Sequence, residues 1–212
     1  MKKILLVAGM LMALTACQKD EGIVSDTATT SSFTVTIPQG ETPTRAVTDA
    51  FGTGTSANRC ILEIYHGDRL YDRIEKGVTA KTVTFDNLRL VAQQTYDFVL
   101  WADCSADGGR YNTDDLTRIA LKDGVSYTGN DDKFDAFFFC KKDYTVSESF
   151  SEKFTLRRPF GQMNVKTNDM GDIPANAPDL KPAKVKVKFT SLPTAFNAYT
   201  GQESGETAVA VS

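Results

Sequence analysis

The chain predicts an antiparallel β-sandwich, on three observations. Its apolar residues recur mostly with a period of two, in runs of strand length. Clusters of Gly, Asp and Asn separate those runs. Only one short segment departs toward a helical pattern.

The chain opens on something other than a strand. Lys2 and Lys3 form a positive patch, and Ile4 to Leu14 form an apolar run of eleven residues, too short to span a bilayer. Leu14-Thr15-Ala16-Cys17 then supplies small residues directly before a cysteine. Residues 1–16 are expected to be a secretory signal. The cysteine at the cut site resembles the bacterial lipobox, which implies that Cys17 becomes the acylated N-terminus. Each buried methylene of an acyl chain contributes about 0.8 kcal/mol, so two or three chains anchor firmly to a membrane. Lys19, Asp20 and Glu21 follow, and Cys17-Gln18-Lys19-Asp20-Glu21 resembles the surface-export tag of Bacteroidales lipoproteins. Residues 17–32 are rich in Ser, Thr and Asp and read as a flexible tether.

The sandwich is predicted over residues 33–170. Phe33, Val35 and Ile37 alternate with Thr34 and Thr36, and Pro38 ends that strand. Cys60, Leu62 and Ile64 alternate with Ile61, Glu63 and Tyr65, a pattern that suits a strand covered on both faces. Val83 and Phe85 alternate with threonines and lead to Leu88. Tyr96, Phe98 and Leu100 oppose Asp97, Val99 and Trp101. Phe137, Phe138, Phe139, Tyr144 and Val146 mark a further strand, and Phe154 with Leu156 opens another before Arg157. The exception is a short helix containing Leu116, Ile119 and Ala120, capped by Asn112 or Thr113. Residues 171–182, with three prolines, read as a linker. Val185, Val187 and Phe189 alternate with lysines in a one-sided strand. Residues 183–212 are therefore expected to open a second β segment, incomplete and too short for an independent core.

Composition narrows the partners. Removing residues 1–16 takes two of the 24 Lys+Arg, leaving 22 against 27 Asp+Glu, a net charge of −5 with no long run of either sign. That balance argues against nucleic acid or an anionic lipid surface as the main partner. Of four cysteines, Cys17 is assigned to lipid. Cys60, Cys104 and Cys140 allow at most one disulfide and one free thiol, and they suit small buried hydrophobes.

Four stretches coincide with one family pattern. They are Tyr96-Asp97-Phe98-Val99-Leu100-Trp101-Ala102-Asp103, Tyr111-Asn112-Thr113-Asp114-Asp115-Leu116, Asp135-Ala136-Phe137, and Leu156-Arg157-Arg158-Pro159-Phe160-Gly161-Gln162-Met163-Asn164-Val165. Together they resemble the N-terminal domain of fimbrillin-like surface lipoproteins of the Bacteroidales. The resemblance runs over most of residues 33 to 170, and Leu192-Pro193-Thr194-Ala195-Phe196-Asn197 resembles the opening of the family's second domain. It implies a transthyretin-like, Greek-key sandwich, held on the cell outer membrane or in a fimbrium, with other fimbrial subunits as partners. It also implies an assembly chemistry. In shaft subunits of that family a protease cuts after an arginine near the N-terminus, and a neighbour's strand fills the groove left by the first strand. Here Arg45-Ala46 follows the candidate strand of Phe33, Val35 and Ile37. Removing three half-buried apolar side chains uncovers surface worth roughly 4–9 kcal/mol, and a replacement strand restores main-chain hydrogen bonds. Anchor subunits of that family keep their lipid uncut.

Other residue groups carry side chains suited to metal, acid–base or sugar chemistry. Asp103, Ser105 and Asp107, with Gly108 and then Asp114, stand at positions one, three, five, six and twelve of a calcium loop. Position twelve is Asp rather than the longer Glu, and a polar hairpin loop is the competing reading. Asn130, Asp131, Asp132 and Asp135 form an acidic patch without the support a glycosidase needs. His66 has no visible triad partners. Arg157 and Arg158 suit either an anion or acidic neighbours. Trp101 and Phe137 to Phe139 suit a core or a sugar platform. The functional expectation is therefore a non-enzymatic, lipid-anchored pilus component or adhesion module facing a host or bacterial surface ligand. Its alternative is a glycan-binding surface lipoprotein serving polysaccharide capture.

Overall fold

The computed structural model describes residues 31–38, 52–127, 131–161, 171–180 and 186–211. In chain order the strands are β1 (Ser31–Thr36), β2 (Arg59–His66), β3 (Arg69–Gly77), β4 (Thr82–Asp86), β5 (Thr95–Asp103), β6 (Tyr111–Asn112) and β7 (Ile119–Leu121). They continue with β8 (Ala136–Thr145), β9 (Phe150–Thr155), β10 (Val187–Leu192), β11 (Ala195–Asn197), β12 (Gln202–Ser204) and β13 (Thr207–Val211). Single 3₁₀ turns lie at Ala106–Gly108, Asp132–Phe134 and Pro178–Leu180. The protein is mainly β, and its sheets stack as a sandwich. Among the described residues no helix is long and apolar enough to cross a membrane.

The middle layer is the sheet β3-β2-β5-β8, antiparallel throughout. Strand side chains alternate between faces, so a strand apolar on both faces needs cover on both. On one face Cys60, Leu62, Ile64, Phe98, Leu100 and Phe137 meet the sheet β4-β1-β9 in the larger core. On the other, Ile61, Val99, Trp101 and Phe138 meet the sheet β12-β11-β7-β6 in a second core. The two-sided reading of residues 60–65 is therefore borne out. Trp101 is fully buried, donating its indole N–H to Asp103 at 3.0 Å and stacking edge-on to Tyr111.

Three features depart from the expectations, and one strand adds to them. The antiparallel rule is broken at one place, because β1 pairs antiparallel with β4 but parallel with β9. The predicted helix is a β-turn reversal instead. Asn112 Oδ1 accepts from the Asp114 N–H at 3.0 Å, and Asp115 Oδ1 accepts from the Thr117 N–H at 2.8 Å. Side chains that capture nearby amides compete with helical bonding, so the chain turns between β6 and β7. Leu116 and Ile119 are buried through the second core rather than along a helix face.

The third departure concerns residues 183–212. Within that stretch β11 pairs with β7, Ala195 opposite Ala120 and Phe196 opposite Ile119, and the Ala198 N–H donates to the Leu116 carbonyl at 2.8 Å. Phe196 and Ala198 belong to the second core. These residues complete the first sandwich, adding Phe196 and Ala198 to the cover that Tyr111, Leu116 and Ile119 give Trp101 and Phe138. Only β10 and β13 stand apart, as a two-stranded antiparallel sheet in which half-buried Val187 and Phe189 flank exposed Lys188; Val185 lies outside the described residues. The added strand is β3, a nine-residue edge strand with no apolar alternation to mark it in the sequence. Its charges, Arg69, Asp72, Arg73, Glu75 and Lys76, suit an edge protected from further pairing.

Candidate functional site

The candidate site is the slot that β1 fills. Phe33 and Val35 are fully buried and Ile37 is 1 % exposed, so the three side chains are buried outright rather than half-buried. Phe33 sits among Phe98 (4.4 Å between ring centroids), Phe150 (5.0 Å) and Phe154 (5.1 Å). Edge-to-face packing of this kind adds to the burial of area. The strand lies between two partners, not at an edge. Thr34 pairs with Thr84 on one side and Lys153 on the other, and Val35 with Val83 and Phe154. The Leu156 N–H donates to the Thr36 carbonyl at 3.0 Å, and the Ile37 N–H to the Lys81 carbonyl at 2.9 Å. Loss of β1 would break two ladders and open the larger core.

A latch follows on the far side of residues 39–51. The Arg158 guanidinium pairs with Asp135 through both terminal nitrogens, and its Nη2 also donates to the Gly52 carbonyl. The Gly54 N–H donates to Asp135 Oδ2 at 3.2 Å. The guanidinium lies over the Phe137 ring, 4.6 Å from its centroid. Neither glycine tolerates a side chain here. A Cβ on Gly52 would sit 2.6 Å from Asp135 Oδ2, and one on Gly54, at φ +71°, would sit 2.8 Å from Phe137 Cζ. Two separate motifs of the sequence, Asp135-Ala136-Phe137 and Arg157-Arg158-Pro159, are thus one contact. Arg158 is tied to an acid and a carbonyl, while Arg157 lies over Phe138 at 4.7 Å and pairs with it through the backbone.

The calcium loop is not assembled. Asp103 is fully buried, with its carboxylate accepting from Arg59 Nε and Nη2 at 2.8 Å each and from Trp101. Asp107 points to Lys133 Nζ at 2.6 Å, which holds its carboxyl below the usual range. Ser105 bonds to Asn58, and Asp114 donates its N–H to Asn112. The acids are drawn to cations and indole instead of converging. Among the described residues no group of three or more His, Cys, Asp or Glu is placed to hold a metal ion.

The acidic patch is likewise partnered. Asp131 accepts from the Lys133 N–H and lies 3.7 Å from Arg110, while Asp135 serves the latch; Asn130 lies outside the described residues. Glu63, 1 % exposed, is paired with Arg73 and accepts from the Tyr65 hydroxyl at 2.7 Å, and Arg73 Nη2 donates to the Thr113 carbonyl at 2.6 Å. Single-residue reading of the sequence missed this network because its members are spread over fifty residues. Phe137 and Phe138 are buried, and Phe139 is half-buried, stacked 5.0 Å from Phe154. With Trp101 also buried, these rings form no sugar platform. Cys60, Cys104 and Cys140 are all free thiols. Burial pushes the Cys60 thiol up to about 12 and the Cys140 thiol to about 11, so both stay protonated at neutral pH.

Cys17, Lys19, Asp20, Glu21, Arg45 and Ala46 lie outside the described residues. The fold and its slot define a three-layered β-sandwich whose first strand is buried between two later ones. The chain belongs to a family of unknown function, DUF6562, whose model matches residues 23–212. Neither the curated proteins nor the solved structures yield a match.

Proposed function

We propose that this protein is a lipid-anchored, surface-displayed fimbrillin-like subunit, a pilus component or adhesion module that assembles by β-strand complementation. The observation that carries the reading is the burial of Phe33, Val35 and Ile37 between β4 and β9. A thirteen-residue connection, 39–51, joins that strand to the latch at Gly52 and contains Thr44-Arg45-Ala46. Cleavage there would free β1 from everything that follows. The vacated slot would offer hydrogen-bonding edges on two strands and pockets for three alternate side chains, the requirements of strand addition. The latch supports this division, since its hydrogen bonds to residues 52 and 54 do not involve β1. The lipobox-like Leu14-Thr15-Ala16-Cys17 supplies the membrane anchor.

Mass spectrometry of the mature protein on cells tests the reading. A chain beginning at Ala46 identifies a shaft subunit, and an intact chain beginning at acylated Cys17 identifies an anchor. A product that carries neither lipid nor the Ala46 terminus, recovered from the cytosol, overturns both.

A further inference from the structure

Tyr71 breaks the alternation of its strand. In the β2–β3 ladder Ile64 pairs with Asp72 while Tyr65 pairs with Leu70, which leaves Tyr71 as the extra residue of a β-bulge. Bulges re-aim side chains and are over-represented beside functional sites. The Tyr71 ring stands edge-on to Tyr96, 5.4 Å between centroids, and the His66 ring lies 5.1 Å from the same Tyr96. Tyr96 is 2 % exposed and packs against both rings. Both tyrosines are fixed at their tips. The Tyr71 hydroxyl donates to the Arg89 carbonyl at 2.8 Å, and the Tyr96 hydroxyl accepts from the Val91 N–H at 3.2 Å. Tyr71 nevertheless stays 46 % exposed. An aromatic held rigid yet open to solvent has little ordering left to lose on binding.

The surroundings indicate what would bind. His66 and Arg69 are cross-strand partners at the Gly67-Asp68 turn, and with Leu70 and Tyr71 they line an open cleft of about 290 Å³. That is near the lower end of small-ligand clefts, roughly 300–1,000 Å³. An open cleft of that size suits a short saccharide. Arg69, like Arg89, Arg118 and Arg157, makes no ion pair among the described residues, and of these four it alone lines the cleft. Of the nearby acids, Asp72 accepts from the Arg73 N–H.

We propose that this cleft binds an acidic saccharide. Tyr71 would stack on the sugar ring, Arg69 would pair with its carboxylate or sulfate, and His66 would hydrogen-bond a hydroxyl. Charge-assisted bonds to a planar guanidinium favour such anions over neutral sugars. The inference needs no strand exchange and concerns the opposite end of the larger core from the latch.

Calorimetric titration of the full chain tests it, with trigalacturonic acid, sialyllactose and a heparin tetrasaccharide set beside galactotriose, lactose and sodium sulfate. At least one acidic saccharide should bind saturably, with the neutral sugars and sulfate weaker by about tenfold or more. Tyr71→Ala and Arg69→Gln should each weaken that binding by about tenfold, and Tyr71→Phe, which keeps the ring, should retain it. Arg69→Gln alters an exposed side chain, so an unchanged melting temperature separates lost binding from lost folding. Saturation by none of the three acids, equal binding of neutral sugar or sulfate, or indifference to Arg69→Gln overturns the proposal. None of these outcomes bears on cleavage after Arg45, so the two readings fail separately.

Discussion

At the scale of single residues, the latch shows how a polar contact fixes a chain crossing. The Asp135 side chain is 13 % exposed and that of Arg158 20 % exposed, so this pair is sheltered and differs from a typical surface ion pair. Removing one partner leaves the other's charge poorly compensated. Asp135→Asn or Arg158→Ala should each lower stability by about 2–3 kcal/mol, and the double variant should lose less than their sum. Chemical denaturation of the four proteins in a double-mutant cycle measures the difference. The thiols give a second prediction at this scale. From an ordinary value of 9.0, burial raises Cys60 to about 12 and Cys140 to about 11. A hydrogen bond to Asp97, with burial, raises Tyr199 from 10.0 to about 12. Each group holds its proton more tightly when folded, so this share of the stability is complete below about pH 9 and lost as pH rises from there to 12. Denaturation midpoints across that range should fall, and Cys60 should resist thiol reagents at pH 8 until the chain unfolds.

At the scale of the element, β1 carries the most consequence per residue. Six residues supply two ladders and the centre of the larger core. Phe33→Ala removes a fully buried ring and should cost about 3–5 kcal/mol. A chain lacking its first 38 residues should expose apolar surface and bind a hydrophobic dye. Adding a peptide with the sequence of residues 31–38 should suppress dye binding and restore the melting transition. A peptide of the same composition with the alternation scrambled should not, because a strand of the wrong period directs its apolar side chains to the wrong face. Equal rescue by both peptides would remove the slot as a site of specific complementation. By contrast β3, charged and exposed along one edge, is built to refuse an extra strand.

At the scale of the whole molecule, two cores share one sheet. The sheet β3-β2-β5-β8 is covered on one side by a sheet that includes the first strand-forming segment of the sequence and on the other by segments as distant as residue 198. Ending the chain at residue 182 would therefore strip Phe196 and Ala198 from the Trp101 face. Such a chain should show red-shifted tryptophan emission and a lower melting temperature than the full protein. Tyr199 reinforces the same closure, since it bonds to Asp97 and lies beneath Lys142 Nζ, 4.1 Å from the ring centroid.

The sequence by itself determined the β class, the strand faces and the buried aromatics. Alternation at Phe33, Val35 and Ile37, or on both faces of residues 60–65, is a local property, because strand geometry sends successive side chains to opposite sides. The charged edge β3 and the Asx turns around Asp115 were not legible in the same way, as their local signals compete with loop and helix readings. What only the tertiary structure decided was which distant pieces meet. Asp103 finds Arg59 rather than calcium-binding neighbours, Tyr71 turns outward at a bulge, and β11 closes the first sandwich instead of opening another. Those outcomes depend on the cover available to each buried face and on the partner nearest each charge. Such quantities belong to the assembled fold and have no expression in the spacing of residues along the chain.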